Sequence, residues 1–183
     1  MESSKKVESK VKEVVKEVIR KDTSDREKVQ AINQYLVDHA IYNDAAYAKS
    51  KEVQNLRDKN PRSDEESQKL QELYKTYING QYASAWDASG VLLEGTGVCQ
   101  SYAVAFNALA QEAGVEVLYV SGDVNTGDKH AWNLVKIDGQ WLAVDVTWND
   151  DDKHPNEYLL LSLDNQTYSQ SHYMEKKYVE KMK

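Results

Sequence analysis

The stretch from His130 to Trp148, HAWNLVKIDGQWLAVDVTW, constrains the fold more than any other part of the chain. Two runs rich in valine, leucine and tryptophan flank Asp138-Gly139, a dipeptide suited to a two-residue hairpin turn because both positions tolerate positive φ. Such a turn sets the register: Ile137 pairs with Gln140, Trp132 faces Asp145 and His130 faces Thr147. Paired residues project to the same side of a sheet, and side chains alternate along each strand. One face therefore carries His130, Trp132 and Leu134 with Trp141, Ala143, Asp145 and Thr147. The other carries Ala131, Asn133, Val135 and Ile137 with Leu142, Val144, Val146 and Trp148, and is the more uniformly apolar. His130 and Asp145 become diagonal neighbours with Cα atoms about 7–8 Å apart, close enough for their side chains to hydrogen-bond. A three-residue turn would move them to opposite faces.

Upstream lies GVCQSYAVAF (Gly97 to Phe106), with the single cysteine of the chain. Cys99, Ala103, Phe106, Ala110 and Ala113 fall on one helical face, and Gly114 stops the helix. Val115 to Val124 reads as a strand. A helix followed by antiparallel strands, without βαβ alternation, predicts an α+β fold.

Before this, Val7, Val11, Val14, Val15, Val18 and Ile19 form an amphipathic stripe. Ser24 with Glu27 is a capping signal for a second helix burying Val29, Ile32, Leu36 and Val37. Residues 43–80 are polar and tyrosine-rich, with a further helix expected from Ser63 to Asn79-Gly80. Their charges read as a solvated face rather than a partner surface. The expected organisation is a helical N-terminal extension over residues 1–80 packed on a core over residues 81–183.

Composition narrows the function. With 23 lysines and arginines against 30 acids, the net charge of −7 argues against nucleic-acid partners. No run approaches the roughly 20 apolar residues of a membrane span, and the charged N-terminus lacks a signal peptide's apolar segment. These features fit either a cytosolic protein or a piece of a longer exported one. One cysteine excludes an internal disulfide and a multi-thiolate zinc site. The acidic run NDDDKH (Asn149 to His154) has no ordered calcium-ligand spacing and reads as a solvated loop. No metal and no cofactor is expected.

Cys99 at a helix start would feel the positive end of the macrodipole, which favours a thiolate. An adjacent imidazole, His130, would favour it further, and Asp145 beyond the ring would hold that imidazole's tautomer and orientation. The Cys99 N–H is a natural oxyanion donor. Singly, each residue has an ordinary structural explanation, since free cysteines are commonly buried hydrophobes. Their convergence is what suggests catalysis.

The blocks GVLLEGTGVCQSYAVAFNALAQEAGVEVLYVSGDV, KHAWNLVKIDGQWLAVDVTWND and EYLLLSLDNQTYSQSHY, in this order, closely resemble the bacterial transglutaminase-like domain, a group sharing the papain-like Cys-His-Asp core. The resemblance spans about Ala85 to Tyr173. It implies a nucleophile-bearing helix packed on an antiparallel sheet, with Cys99 as nucleophile, His130 as general base and Asp145 as orienting carboxylate. It also implies acyl transfer on glutamine carboxamides or peptide bonds of a protein or peptide substrate, ending in transamidation, deamidation or hydrolysis. The alternative is a protein-binding module that keeps the fold without turnover. By family analogy the home is a bacterial cell surface. His172 matches a histidine often present in the last block, with packing or a loop hydrogen bond as its expected role. Ser101 and Ser89 depart from the family's usual glycine and aromatic residue, and are expected to alter the cleft beside the thiol. Gln81, Tyr82 and Trp86 are candidates for the second oxyanion donor, and Trp86 and Trp132 for cleft walls.

Overall fold

The computed structural model describes residues 2–183. Helix α1 (Glu2–Val18) buries Val11 and Val14. Helix α2 (Asp25–His39) starts at the expected cap, where Ser24 Oγ accepts the Glu27 N–H at 3.3 Å and the Glu27 carboxylate accepts the Ser24 N–H at 2.9 Å. This reciprocal pairing satisfies amides that a helix start otherwise leaves open. A short strand, β1 (Ile41–Tyr42), leads to α3 (Asp44–Arg57), capped by Asn43. Helix α4 (Asp64–Leu73) begins with a second capping box at Ser63 and Glu66, then widens into π-type turns over Tyr74–Gln81. The helix expected from Ser63 to Gly80 is thus present with a change of pitch.

A 3-10 turn (Ala83–Trp86), a π-type turn (Gly90–Glu94) and strand β2 (Thr96–Gly97) precede α5 (Cys99–Glu112). Gly114, at φ 77°, ends that helix in the left-handed conformation. The remaining elements are β3 (Val117–Val124), β4 (Lys129–Ile137), β5 (Gln140–Val144), α6 (Val146–Asn149), β6 (Leu159–Ser162), α7 (Gln166–Ser169), β7 (His172–Met174) and α8 (Lys176–Lys181). Five strands form an antiparallel sheet in the order β6-β5-β4-β3-β7, while β1 and β2 pair in parallel beside it. The fold is α+β, as the order of elements predicts.

The hairpin has the expected register: Ile137 pairs with Gln140, Leu134 with Ala143 and Asn133 with Val144. Asp138 and Gly139 have φ of 51° and 80°, the doubly positive turn that their sequence favours. The expected strand, however, runs too long. Strand β5 stops at Val144, and Asp145 becomes the N-cap of α6, with its Oδ1 accepting the Trp148 N–H at 3.2 Å. A carboxylate satisfies an open helical amide well, and that local bond ends the strand.

Helices α1, α2 and α5 cover one face of the sheet. The main core there includes Val14, Val29, Ile32, Leu36, Phe106, Leu109, Val135 and Val144. The other face holds a smaller cluster in which Val120, Trp132, Leu134 and Ala143 meet Tyr168 and Tyr178 from the C-terminal segment. Buried asparagines tie α2 to the loop after α6. Asn33 Nδ2 donates to Asn156 Oδ1 at 2.7 Å, and Asn149 Nδ2 donates to Asn33 Oδ1 at 2.8 Å. Among the described residues, no helix is long and apolar enough to cross a membrane.

Candidate active site

Cys99 opens α5, and the residue before it, Val98, provides no side-chain cap. Valine is among the poorest N-caps, so the first amides of the helix keep their donors free. The buried Asn133 holds this helix against the sheet, its Nδ2 donating to the Ala103 carbonyl at 3.1 Å. It follows His130 by three positions on β4, so the strand that bears the imidazole also anchors the helix that bears the thiol.

Cys99 is partly exposed and His130 is 8 % exposed, and both line a cleft of about 370 Å³. A second cavity of about 400 Å³ is lined by the same pair. His130 Nε2 lies 2.6 Å from Asp145 Oδ2. A carboxylate can only accept, so Nε2 carries a proton and Nδ1 is the nitrogen left for Cys99, which lines the same cleft. Trp132 and Trp148 flank the imidazole at centroid distances of 6.0 and 5.3 Å.

His172 adds a contact whose role the sequence reading left at packing or a loop hydrogen bond. Its Nε2 meets the same oxygen, Asp145 Oδ2, at 3.0 Å, and its Nδ1 meets Ser171 Oγ at 2.7 Å. Ser171 Oγ in turn donates to the Thr167 carbonyl at 2.5 Å. Asp145 thus accepts from two imidazoles and one main-chain amide, enclosed by Trp132, Trp148, Tyr158 and Tyr168 around His172. Gly122 makes this possible. A Cβ there would stand 2.2 Å from the Tyr173 carbonyl oxygen, so only glycine lets β7 approach closely enough to deliver His172.

Burial works against a charge on His130, but the Asp145 carboxylate outweighs it, with Cys99 adding to the effect, and the imidazole pKa rises from 6.5 to about 10. For Asp145, burial favours the neutral acid, yet the two histidines hold the carboxyl down from 3.8 to about 2. A pKa raised by folding gives stability that is full below 6.5 and is lost as pH climbs through about 10. A pKa lowered by folding gives stability that is full above 3.8 and is lost as pH falls through about 2. The urea midpoint is therefore expected to plateau between these limits and decline on both sides. His130→Gln should remove the His130 part of the alkaline decline. Equal alkaline slopes in the two proteins would contradict the pairing.

His130, Asp145 and His172 also form the one trio of metal-ligating groups among the described residues, their ligand atoms within 4.8 Å of one another. Both ring nitrogens are already hydrogen-bonded to one carboxylate oxygen, so an ion could enter only by breaking both bonds.

The other expected site residues divide. Trp86 lines the 370 Å³ cleft, and Tyr82 packs beside it, stacked on Tyr77 at 6.1 Å. Gln81 is exposed and lines neither cavity. Trp132 does not wall the cleft: it is 1 % exposed, lies behind His130 and donates through Nε1 to Tyr168 Oη at 3.2 Å. Its alternation places it on the buried second face of the sheet. Ser101 and Ser89 are likewise buried away from both cavities. Ser101 Oγ accepts the Val91 N–H at 3.2 Å and donates to the Asp87 carbonyl at 2.5 Å, so it braces the segment before the helix. The acidic run after α6 is exposed over residues 150–154, and Asp151 caps its own turn through the Lys153 and His154 amides.

A helix laid against an antiparallel sheet, with helices before it in this order, is the transglutaminase/papain-like fold. The chain belongs to the transglutaminase-like superfamily, which matches it over residues 51–146. Cys99, His130 and Asp145 lie inside that match, and His172 lies outside it. Among solved structures, the crystal structure of a TGase is similar at 23 % identity and a TM-score of 0.54, covering 78 % of this chain and 31 % of that one. A candidate cysteine protease from Cytophaga hutchinsonii is similar at 18 % identity and a TM-score of 0.47, covering 77 % of this chain and 37 % of that one. The present chain spans well under half the length of either. No curated protein matches the sequence.

Proposed function

We propose that this protein is a thiol-dependent acyltransferase acting on glutamine carboxamides or peptide bonds of a protein or peptide substrate. The observation that carries the reading is the buried 2.6 Å bond between His130 Nε2 and Asp145 Oδ2, in an imidazole that lines the same cleft as Cys99. In this mechanism His130 Nδ1 already holds the thiol proton, as the imidazolium that Asp145 stabilises, and Cys99 Sγ attacks the carbonyl carbon. The C=O π pair moves to oxygen, where the Cys99 N–H stabilises it. As the tetrahedral intermediate collapses, the C–N bond breaks and the departing amine or ammonia takes the proton from Nδ1. The thioester then reacts with an amine, giving a cross-link, or with water, giving hydrolysis or deamidation.

The test has two parts. Iodoacetamide should label Cys99 readily near neutral pH, where a packed thiol reacts slowly. Intact-mass analysis should then show Cys99-dependent change in a glutamine-peptide library supplied with an alkylamine. Amine addition indicates transamidation, a one-dalton-scale shift (roughly the O-for-NH exchange at a carboxamide) deamidation, and fragments proteolysis. Identical spectra from the wild type and Cys99→Ala would favour the binding module instead.

A further inference from the structure

We infer that His172 is a positioning residue for the acyl-transfer site, its Nε2–H holding the Asp145 carboxylate in the orientation that serves His130. The inference rests on the acyl-transfer reading above, in which His172 has no step of its own. Its side chain is fully buried, whereas His130 reaches the cleft.

An aspartate needs outside help to stay aligned. The torsion that turns its carboxylate is soft and roughly twofold, so its oxygens exchange places unless neighbours prevent it. On Oδ1 the restraint is the Trp148 N–H at 3.2 Å, the long end of the usual range. On Oδ2 the restraint is shared between His130 Nε2 at 2.6 Å and His172 Nε2 at 3.0 Å. These two donors differ in what the reaction asks of them. His130 gives its Nδ1 proton to the leaving group and becomes neutral, and a hydrogen bond that loses its charge weakens. His172 takes no part in that transfer. It therefore keeps the carboxylate aligned until the first imidazole regains its proton.

The second imidazole is itself well held. Ser171 Oγ lies 2.7 Å from its Nδ1, and Tyr168 stacks on it at a centroid distance of 5.2 Å. Trp132, Trp148 and Tyr158 lie at 4.8, 4.6 and 5.3 Å. Asp145 is the one carboxylate within bonding distance of it among the described residues. Burial favours the neutral acid at Asp145, and after His130 it is His172 that opposes this.

Packing and hydrogen bonding make opposite demands on two substitutions. His172→Gln carries an amide N–H to about the position of Nε2 but has no ring. His172→Phe fills the aromatic enclosure but donates nothing. Acylation by p-nitrophenyl acetate should fall about 10- to 100-fold in His172→Phe. It should stay within about threefold of wild type in His172→Gln, which keeps a donor. The proton of the short His130–Asp145 bond gives a second reading that needs no turnover. Its proton NMR resonance should lie far downfield in wild type and His172→Gln, and broaden or move upfield in His172→Phe.

Acylation kept in His172→Phe and lost in His172→Gln would mean that the ring only packs, and overturns the inference. Equal acylation in the two variants, high or low, overturns it as well. So does an unchanged downfield resonance in His172→Phe. If circular dichroism shows His172→Phe unfolded, His172→Leu takes its place. Failure of both to fold would assign His172 to the structure itself and overturn the positioning role. Should wild-type Cys99 fail to alkylate near neutral pH, the acyl-transfer reading falls, while the downfield resonance still decides whether His172 holds Asp145.

Discussion

An Asp145→Ala protein is expected to lose about 3–5 kcal/mol of stability and to acylate about 10⁴-fold more slowly than wild type. Three donors converge on this carboxylate, two imidazoles on Oδ2 and the Trp148 amide on Oδ1. Removing it strands all three in a region where neither histidine is more than 8 % exposed. A buried donor without a partner costs its full desolvation penalty, and a charged one costs more. The kinetic loss has a separate origin: without Asp145, nothing holds the His130 proton on Nε2, and Nδ1 ceases to be a dependable acceptor for the thiol proton. Asp145→Asn should fall between the two, because an amide offers one acceptor oxygen to three donors. Urea titration and p-nitrophenyl acetate burst kinetics measure the two effects. A change under 1 kcal/mol, with acylation within about tenfold of wild type, would show that Asp145 is a bystander.

A chain that begins at residue 81 is expected not to fold. Val14, Val29, Ile32 and Leu36, each no more than 1 % exposed, belong to the same cluster as Phe106 and Leu109 of α5 and Val135 of β4. Burial of each contributes roughly 1.5–3 kcal/mol, and together they rival the 5–15 kcal/mol that typically separates native from unfolded chains. Truncation would also leave Asn149 without its Asn33 partner. Circular dichroism and near-ultraviolet spectra of the 81–183 fragment test this. A cooperative unfolding transition in the fragment would make residues 1–80 a dispensable extension.

The hairpin is legible in the sequence because Asp138-Gly139 admits few turns and the flanking alternation agrees with the register it imposes. His130 and Asp145 come together for that reason. Where β5 ends is not legible, since Asp145, Val146, Thr147 and Trp148 continue the same alternation, and the bond from Asp145 to the Trp148 amide leaves no periodic trace. Helix α3 escapes notice because its buried residues, Ala46, Val53 and Leu56, are too sparse to make a stripe. The clamp by His172 depends on β7 docking against β3, a long-range pairing that local pattern does not encode. Its one sequence signal is the match of His172 to a histidine common in the family.

The position of β7 has a consequence for the chain while it is being made. Cys99, His130 and Asp145 leave the ribosome before His172 does, and until β7 settles beside Gly122 the carboxylate has a single imidazole partner and lacks its aromatic enclosure. An unfinished polypeptide therefore holds its sulfur in a half-built setting. Under the acyl-transfer reading, every partner of Asp145 is in place only once the last strand of the sheet has docked.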